Sequence, residues 1–299
     1  MPEQNDTKAL GYGLLTVALW STVASAFTLA LRHVTPFELL FYSSLFATLI
    51  LGSIVLATTR RMELARWNRR DVGRSALLGL LNPAVYYLLL FEAYARLPTQ
   101  EALLLNFAWP VVLVVLFVII LRQKIHPLAV ASLLISFCGV IVIATRGNPA
   151  SMHLENPIGV GLALASTVVW AVYWIYSSTD ERDSVNRLFG NFWCGTIYLA
   201  IYGLATDSIT LPGRAGLIGT LYVAAFEMAF AFVFWLQALK LARHTAQVSS
   251  LIFLTPFCSL IVIHFVVGET LYTSTLVGLV LIVGGIAGEK WIGARARTD

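Results

Sequence analysis

Three residues able to do chemistry stand together inside one of the most apolar stretches of this chain. The run "TQEALLLNFAWPVV", Thr99 to Val112, continues in Leu, Val and Ile to Leu121, yet places Asn106, Trp109 and Pro110 near its middle. Asn106 and Trp109 lie one helical turn apart and share a face. An amide without a partner costs roughly 2–7 kcal/mol in hydrocarbon, so that face should point at protein or water. The indole adds a wide apolar plane with one N–H donor. Pro110 removes a backbone donor and bends a helix. Such a group suits one wall of a pocket for a small amphipathic molecule, plus the bend that moves it.

The same chemistry recurs elsewhere. Tryptophan prefers the membrane interface, but Trp20 and Trp170 lie halfway along apolar blocks, and Trp174 extends the Trp170 stripe by one turn. Asn82 and Tyr86 follow at helical spacing. Glu227 sits mid-block with no Lys or Arg at similar depth, and an ionisable group there suggests function by default. It could hold a substrate ammonium or carry a proton; the structural alternative is a protonated Glu bonded to a neighbouring helix. We take Trp20, Asn82, Tyr86, Asn106, Trp109, Trp170, Trp174, Glu227 and Phe253 as candidate substrate-binding residues, with Pro110 and Pro256 as candidate hinges. Packing is the competing explanation for the aromatic stripe and a plain kink for the prolines. Pro83 reads as a kink. Glu38 after Thr35-Pro36 fits a capping box, Glu101 follows a helix start, and Glu92 and His264 read as structural. Ser249, Thr255 and Ser259 give one helix a small face suited to packing.

The elements positioning these residues follow from composition. Of 299 residues, 58% are hydrophobic and 12% charged, against about 25% charged in a soluble domain. The apolar residues fall in ten blocks, near 10–31, 37–57, 75–95, 99–121, 128–145, 157–177, 188–206, 214–236, 246–267 and 273–290. A crossing needs about 20 helical residues, so the expected fold is an all-α integral membrane protein of ten transmembrane helices. With a cytoplasmic N-terminus, sixteen Lys and Arg fall inside and four (Arg32, Arg96, Arg146, Arg214) outside. The inner set includes Arg60, Arg61, Arg66, Arg69, Arg70, Arg74, Arg122, Lys124, Arg182 and Arg187. This positive-inside bias explains the basic balance better than a nucleic-acid patch. It puts both termini in the cytoplasm, in a bacterial-type inner membrane. Cys138, Cys194 and Cys258 all lie in apolar blocks and read as small buried hydrophobes, not a disulfide framework. "ASA" at 24–26 resembles a cleavage site, but the apolar run continues to Leu31, so the block is expected to be retained.

An internal repeat organises the blocks. At an offset of 146, Thr99 meets Thr245, Phe107 meets Phe253, Pro110 meets Pro256 and Gly139 meets Gly285; at 150, Gly11 meets Gly161 and Trp20 meets Trp170. The halves are 1–147 and 148–299, five blocks each. Five is odd, so the second half sits upside down relative to the first. Inverted repeats of this kind belong to secondary transporters, with substrate near the midplane between halves.

Ten spans in a five-plus-five repeat, the basic loop after the second, "EALLLNFAWP" in the fourth and "GET" after the ninth resemble the drug/metabolite transporter superfamily, more narrowly its EamA branch. An acidic residue usual after span four is absent, where "RQKIHP" stands. The resemblance implies export of small metabolites, amino acids including aromatic ones first among them. Another metabolite or a cationic drug is the alternative, with facilitation or proton exchange both open. An enzyme is not expected: there is no H-E-x-x-H, no Gly-x-Ser-x-Gly and no carboxylate pair in the bundle. A channel lacks its rings of charge. The expected partners are a small-molecule substrate and the lipid bilayer, without nucleic acid or cofactor, and a monomer suffices. One central cavity should form between spans one, three, four, six, eight and nine, with five and ten peripheral.

Overall fold

The structure, a computed structural model, describes residues 5–59, 68–121, 127–148, 156–243 and 245–295. Arg60, Arg61, Arg66, Arg122, Lys124 and Arg297 lie outside the described residues. The helices follow the apolar blocks: α1 (Asp6–Ala30), α2 (Pro36–Thr59), α3 (Arg69–Tyr94), α4 (Thr99–Asn106 and Trp109–Leu121) and α5 (Pro127–Ala144). The second set is α6 (Pro157–Ser178), α7 (Ser184–Ala205), α8 (Arg214–Leu241), α9 (Thr245–Ser250 through Ile263–Val267) and α10 (Thr273–Arg295). Eight are long and apolar enough to cross a membrane; α5 and α10 contribute shorter apolar stretches, Val130–Ala144 and Thr273–Gly288. The chain is an all-helical, multi-pass membrane protein.

Polar residues at the block edges decide where helices start. Asn5 accepts from the Lys8 amide and opens α1. Thr35 and Glu38 form the expected capping box: Thr35 N–H donates to the Glu38 carboxylate at 2.7 Å and Glu38 N–H to Thr35 Oγ1 at 3.2 Å. Asn156 caps α6 ahead of Pro157, and Asp183 caps α7. Asn68 and Asp71 make a second capping box, which starts α3 at Arg69, ahead of the apolar residues from 75 onward. Helical hydrogen bonding extends past the hydrocarbon wherever a cap supports it.

Four helices are interrupted near their middles. In α3, Leu80–Val85 is a π turn with Asn82 in extended conformation ahead of Pro83. In α4 the first helix ends at Asn106 and a new one begins at Trp109. In α8, Ala224–Ala229 is a π turn, and in α9 a 3₁₀ turn, Leu251–Phe253, precedes Leu254–Val262. Pro110 does not bend a continuous helix, the expectation from sequence, but stands in the first turn after the α4 break, where its missing N–H removes no helical bond. Pro256 follows the 3₁₀ turn of α9, whose flanking residues Ser250, Phe253 and Leu254 keep helical backbone angles.

Packing pairs the halves. α1 lies against α8 and α9 as α6 lies against α3 and α4; α2 packs on α7 and α5 on α10. Exchanging the first five helices with the last five leaves this set of neighbours unchanged. α5 and α10 hold chiefly to each other, away from the centre. Their contact depends on missing side chains. A Cβ on Gly139 would come within 2.7 Å of the Gly278 carbonyl oxygen, and one on Gly285 within 2.4 Å of the Ser132 carbonyl oxygen. Ser136 Oγ then reaches the Ile282 carbonyl at 3.1 Å. Small residues permitting close backbone approach are how membrane helices associate.

The cysteines are free, but Cys138 and Cys258 are exposed on helix surfaces and not buried as expected. In a membrane protein the apolar outer face is as hydrophobic as the core, so apolar flanks do not distinguish the two. Phe137, Leu134 and Ile261 on those faces are likewise exposed.

Gly285→Leu should separate α5 from α10. Overpacking of this type costs about 1–3 kcal/mol, and we expect a lower melting temperature and loss of monodisperse protein in detergent, measured by fluorescence-detected size exclusion after heating. Gly284→Leu, at a glycine with nothing within 4 Å of a built Cβ, should melt like the native chain.

Candidate substrate cavity

A cavity of about 390 Å³ lies where α1, α3, α4, α6, α8 and α9 meet. Trp20, Tyr86, Asn106, Trp109, Trp170, Trp174 and Glu227 all line it. Trp20, Trp170 and Trp174 stand on the continuous helices α1 and α6, and the others stand at or beside helix breaks. Asn106 ends the first half of α4 and Trp109 begins the second; Glu227 projects from the π turn of α8.

Aromatic residues are ten of the 22 that line the wall, and their rings pack on one another. Tyr86 stacks on Trp170 with centroids 4.5 Å apart, Trp170 on Tyr173 at 5.5 Å, and Trp109 faces Trp174 at 6.5 Å and 16°. Across the cavity, Trp20 meets Phe232 and Trp235, each at 5.7 Å. Such pairs contribute about 0.5–1.5 kcal/mol each beyond burial and hold the rings in fixed planes.

The polar groups are few, and some of them are paired. Tyr86 Oη donates to Asn106 Oδ1 at 3.2 Å, and Asn106 Nδ2 donates to Ser166 Oγ at 2.9 Å, whose hydroxyl in turn donates to the Ala163 carbonyl. Tyr87 Oη donates to Glu227 Oε1 at 2.9 Å. Glu227 Oε2 has no hydrogen-bond partner among the described residues, and neither does Trp20 Nε1, Trp174 Nε1 or Thr255 Oγ1. Among the described residues no Lys or Arg lines the cavity. The arrangement offers broad apolar faces, one amide and one carboxyl.

Two candidates fall elsewhere. Asn82 does not line the cavity; it is fully buried at the α3 break, its amide atoms unpartnered. Its extended backbone turns the side chain away from the face that Tyr86 presents. Phe253, in the 3₁₀ turn of α9, packs against the core while Ile252 and Thr255 line the space. Thr255 and Ser249 thus face the cavity, and of the small residues on α9 only Ser259 is wholly packed, at 0% exposure. Phe27, Tyr94, Phe232, Trp235 and Tyr87 also build the site. Tyr87 adjoins Tyr86 in sequence, but nothing in the spacing marks it as the partner of a carboxyl 140 residues away.

The cavity has one open and one closed end. It reaches the surface beside Ser178, exposed at the end of α6, and Ser249 at the start of α9. Opposite, Phe27 packs edge-on to Phe91 and Tyr94, all three buried. A polar clasp lies beyond them. Glu269, in the α9–α10 turn, accepts from the Thr99 amide at 2.7 Å and the Gln100 amide at 3.2 Å, capping α4 from another part of the chain. Gln100 Nε2 donates to the Thr270 carbonyl, and its Oε1 accepts from Tyr272 N–H and Thr275 Oγ1. Thr99 meets Thr28 hydroxyl to hydroxyl at 2.8 Å, and Arg146 donates to Glu101 at 2.5 Å. Residues 99, 100 and 101 are each no more than 3% exposed.

At the open end, Asp180 joins α3 to the α6–α7 turn. It receives Arg182 at 2.6 Å and has Arg74 at 3.6 Å, while Arg182 also donates to Ser75. Burial alone would raise the Asp180 pKa, but the hydrogen bonds and charge of Arg182 prevail and hold the carboxyl below the usual range.

Comparison with known proteins follows the same outline. A family model described as the EamA-like transporter family matches residues 7–145 and again 157–288. The chain is 24% identical to an "Uncharacterized transporter" of Archaeoglobus fulgidus, over 91% of this chain and 95% of that one. It is 26% identical to a "Probable terminal-alkyne amino-acid exporter" of Streptantibioticus cattleyicolor, over 97% and 94%. It is 23% identical to "Aromatic amino acid exporter YddG" of Ancylobacter novellus, over 75% and 76%. A solved crystal structure shares the fold with a TM-score of 0.69 at 21% identity, covering 98% of this chain and 99% of that one. The three relatives carry transporter or exporter names, which do not denote a class of enzyme. The chain belongs to the EamA-like transporter family.

Proposed function

We propose that this carrier moves small amphipathic metabolites out of the cell, amino acids with aromatic or bulky apolar side chains foremost, by alternating access around the central cavity. The observation that carries the reading is the composition of that cavity. It has stacked aromatic walls, one amide, one carboxyl and a volume of about 390 Å³, inside the roughly 300–1,000 Å³ of small-molecule sites. Rings on opposite walls take the substrate side chain; Glu227 Oε2, lacking a partner, takes its ammonium. The names of two relatives, both amino-acid exporters, supply the direction of transport and the substrate class.

In this reading the halves, 1–147 and 148–299, are inverted repeats, and the helix breaks beside Pro110 and Pro256 are the hinges. The positive-inside bias sets both termini in the cytoplasm of a bacterial-type inner membrane. The mouth beside Ser178 and Ser249 then faces the cytoplasm, and the Glu269–Gln100 clasp closes the outer side. Outward opening must break that clasp and form a closure at the mouth. One chain is sufficient as the transport unit, and flux is driven by the substrate gradient without a coupled proton.

Three measurements test this. In proteoliposomes preloaded with tryptophan, external labelled tryptophan should accumulate by counterflow, and Trp170→Ala or Trp109→Ala should raise its KM about tenfold or more, from the 1.5–3 kcal/mol of burying an apolar side chain. Counterflow absent for every amino acid of a panel would overturn the substrate class. Glu227→Gln should lower kcat/KM for tryptophan about tenfold or more, the worth of a hydrogen bond to a charged group, and leave uptake of indole-3-propionate, which lacks the amine, unchanged. An equal loss for both compounds would remove the ammonium role, and native flux that requires an imposed pH gradient would replace facilitation by proton exchange. Gln100→Ala should weaken the outer clasp. A cysteine placed at Leu103, with the three native cysteines replaced, should then react faster with a membrane-impermeant maleimide from the outer side than in the background carrying Gln100.

A further inference from the structure

A second hollow, of about 600 Å³, lies outside the carrier's centre in the cleft between α1, α8 and α9. α1 separates the two spaces. Val23, Ala24 and Phe27 of this helix face the central cavity, whereas Thr22, Ser25, Ala26 and Leu29, at 3.6-residue spacing, face the cleft. The hollow is therefore distinct from the substrate site and belongs to the outer surface of the bundle. Small residues create it: Ala26 and Ala30 on α1 look across to Ala215 and Gly219 on α8. There the helices approach so closely that a Cβ on Gly219 would come within 2.8 Å of the Ala30 Cβ.

Its polarity runs along its length. At the deep end Thr22 Oγ1 and Tyr222 Oη bond each other at 2.8 Å, and the buried Ser25 Oγ, one turn nearer the mouth, has no partner among the described residues. The middle is bounded by Leu29, Ile218, Val262 and Val266. The mouth carries Arg32 and His33, both exposed at the end of α1. Arg214 opens α8 one residue before the lining Ala215, and the first turn of that helix has no side-chain cap. Among the described residues neither Arg32 nor Arg214 forms an ion pair. An occupant must therefore be apolar for most of its length and anionic at one end.

Length narrows the choice. Thr22 and Arg32 are ten residues apart, about 15 Å along a helix rising 1.5 Å per residue. That equals one leaflet of a hydrocarbon core about 30 Å thick. The cations then stand at headgroup depth, where each attracts anionic lipid, and the cleft runs to the bilayer midplane as an acyl chain does.

We infer that this cleft is a binding site for one anionic phospholipid, its phosphate held by Arg32 and Arg214 and one acyl chain lying between α1, α8 and α9 down to Thr22. A lipid seated there fills the joint between the helix that bounds both spaces and the two that it packs against. The inference stands apart from the identity of the carrier's substrate.

Native mass spectrometry of the full chain in mild detergent tests it, with phosphatidylglycerol and phosphatidylcholine of the same acyl length offered at equal concentration. The native chain should retain one phosphatidylglycerol in preference to phosphatidylcholine. Arg32→Gln combined with Arg214→Gln should weaken phosphatidylglycerol about fivefold or more and abolish the preference. Ala215→Phe should fill the cleft and remove both lipids. If Ala215→Phe fails to fold, the arginine variant, altered only at exposed side chains, decides the matter. Equal retention of the two lipids by the native chain, or a preference that survives loss of both arginines, overturns the site. Cross-linking of a photoreactive tryptophan analogue to Tyr222 would also overturn it, making the cleft a lateral portal for substrate.

Discussion

Hydrocarbon offers a backbone no water, so a helix crossing it can be interrupted only where neighbouring protein or a cavity accepts the freed groups. Each break leaves carbonyls without their intrahelical donors. α3, α4, α8 and α9 are all broken near their middles, and the four breaks converge on one volume. Continuous α1 and α6 complete its wall. The position of the cavity and the positions of the breaks are thus one fact. Proline is a consequence of this arrangement as much as its cause. Pro110 sits where a helix restarts, a site at which its missing donor removes nothing. The hinge reading needs a helix already divided in two, which α4 provides, whereas α9 is only tightened into a 3₁₀ turn ahead of Pro256.

The two ends of the cavity differ in their physics, one closed and one open. Near Phe27 the seal is aromatic packing backed by a buried clasp in which a carboxylate caps another helix. Glu269 bonds two amides at the positive end of α4, and Gln100 uses both its oxygen and its nitrogen on the α9–α10 segment. Every partner is directional, so the clasp is made in one register or not at all. At the open end the Asp180–Arg182–Arg74 group ties α3 to the α6–α7 turn without covering the mouth. Because the Asp180 pKa is depressed in the folded chain, its contribution to stability is present above the ordinary aspartate pKa and fades as pH falls through the depressed value. Arg74 and Arg182 act here through specific partners.

Much of the fold was legible because hydrocarbon imposes a simple code. Block length, sparse charge and the arginine bias require little knowledge of contacts, and Thr35–Glu38 announced its capping box by type and spacing alone. Mid-depth Trp20, Trp170 and Asn106 could be singled out because polar or interfacial residues at that depth need a reason. What stayed hidden depends on partners distant in sequence. Glu269 looks like a turn residue until α4 is placed beside it, and Tyr87 looks interchangeable with Tyr86. Asn82 was misjudged through helical periodicity, which fails once its own backbone leaves the helix. The cysteines failed for a related reason: lipid and protein interior read alike to an apolar sequence.

The wiring of the cavity bears on how tightly a substrate can be held. Asn106 is already engaged by Tyr86 and Ser166, and Glu227 Oε1 by Tyr87, so an entering molecule must exchange these bonds to reach those atoms. The net worth of an exchanged hydrogen bond is small, about 0.5–1.5 kcal/mol. Most of the affinity must then come from ring faces, whose contribution depends on area more than on exact substrate shape. A site of this type discriminates weakly among flat or bulky apolar side chains and releases what it binds. Both properties suit a carrier, whose turnover is slowed by any substrate that it binds too well. The unpartnered atoms are the exceptions, the Trp20 and Trp174 indole N–H groups, Thr255 Oγ1 and Glu227 Oε2, and among them only the last belongs to an ionisable group. Selectivity for a positive charge can therefore reside in one atom while the aromatic walls remain permissive.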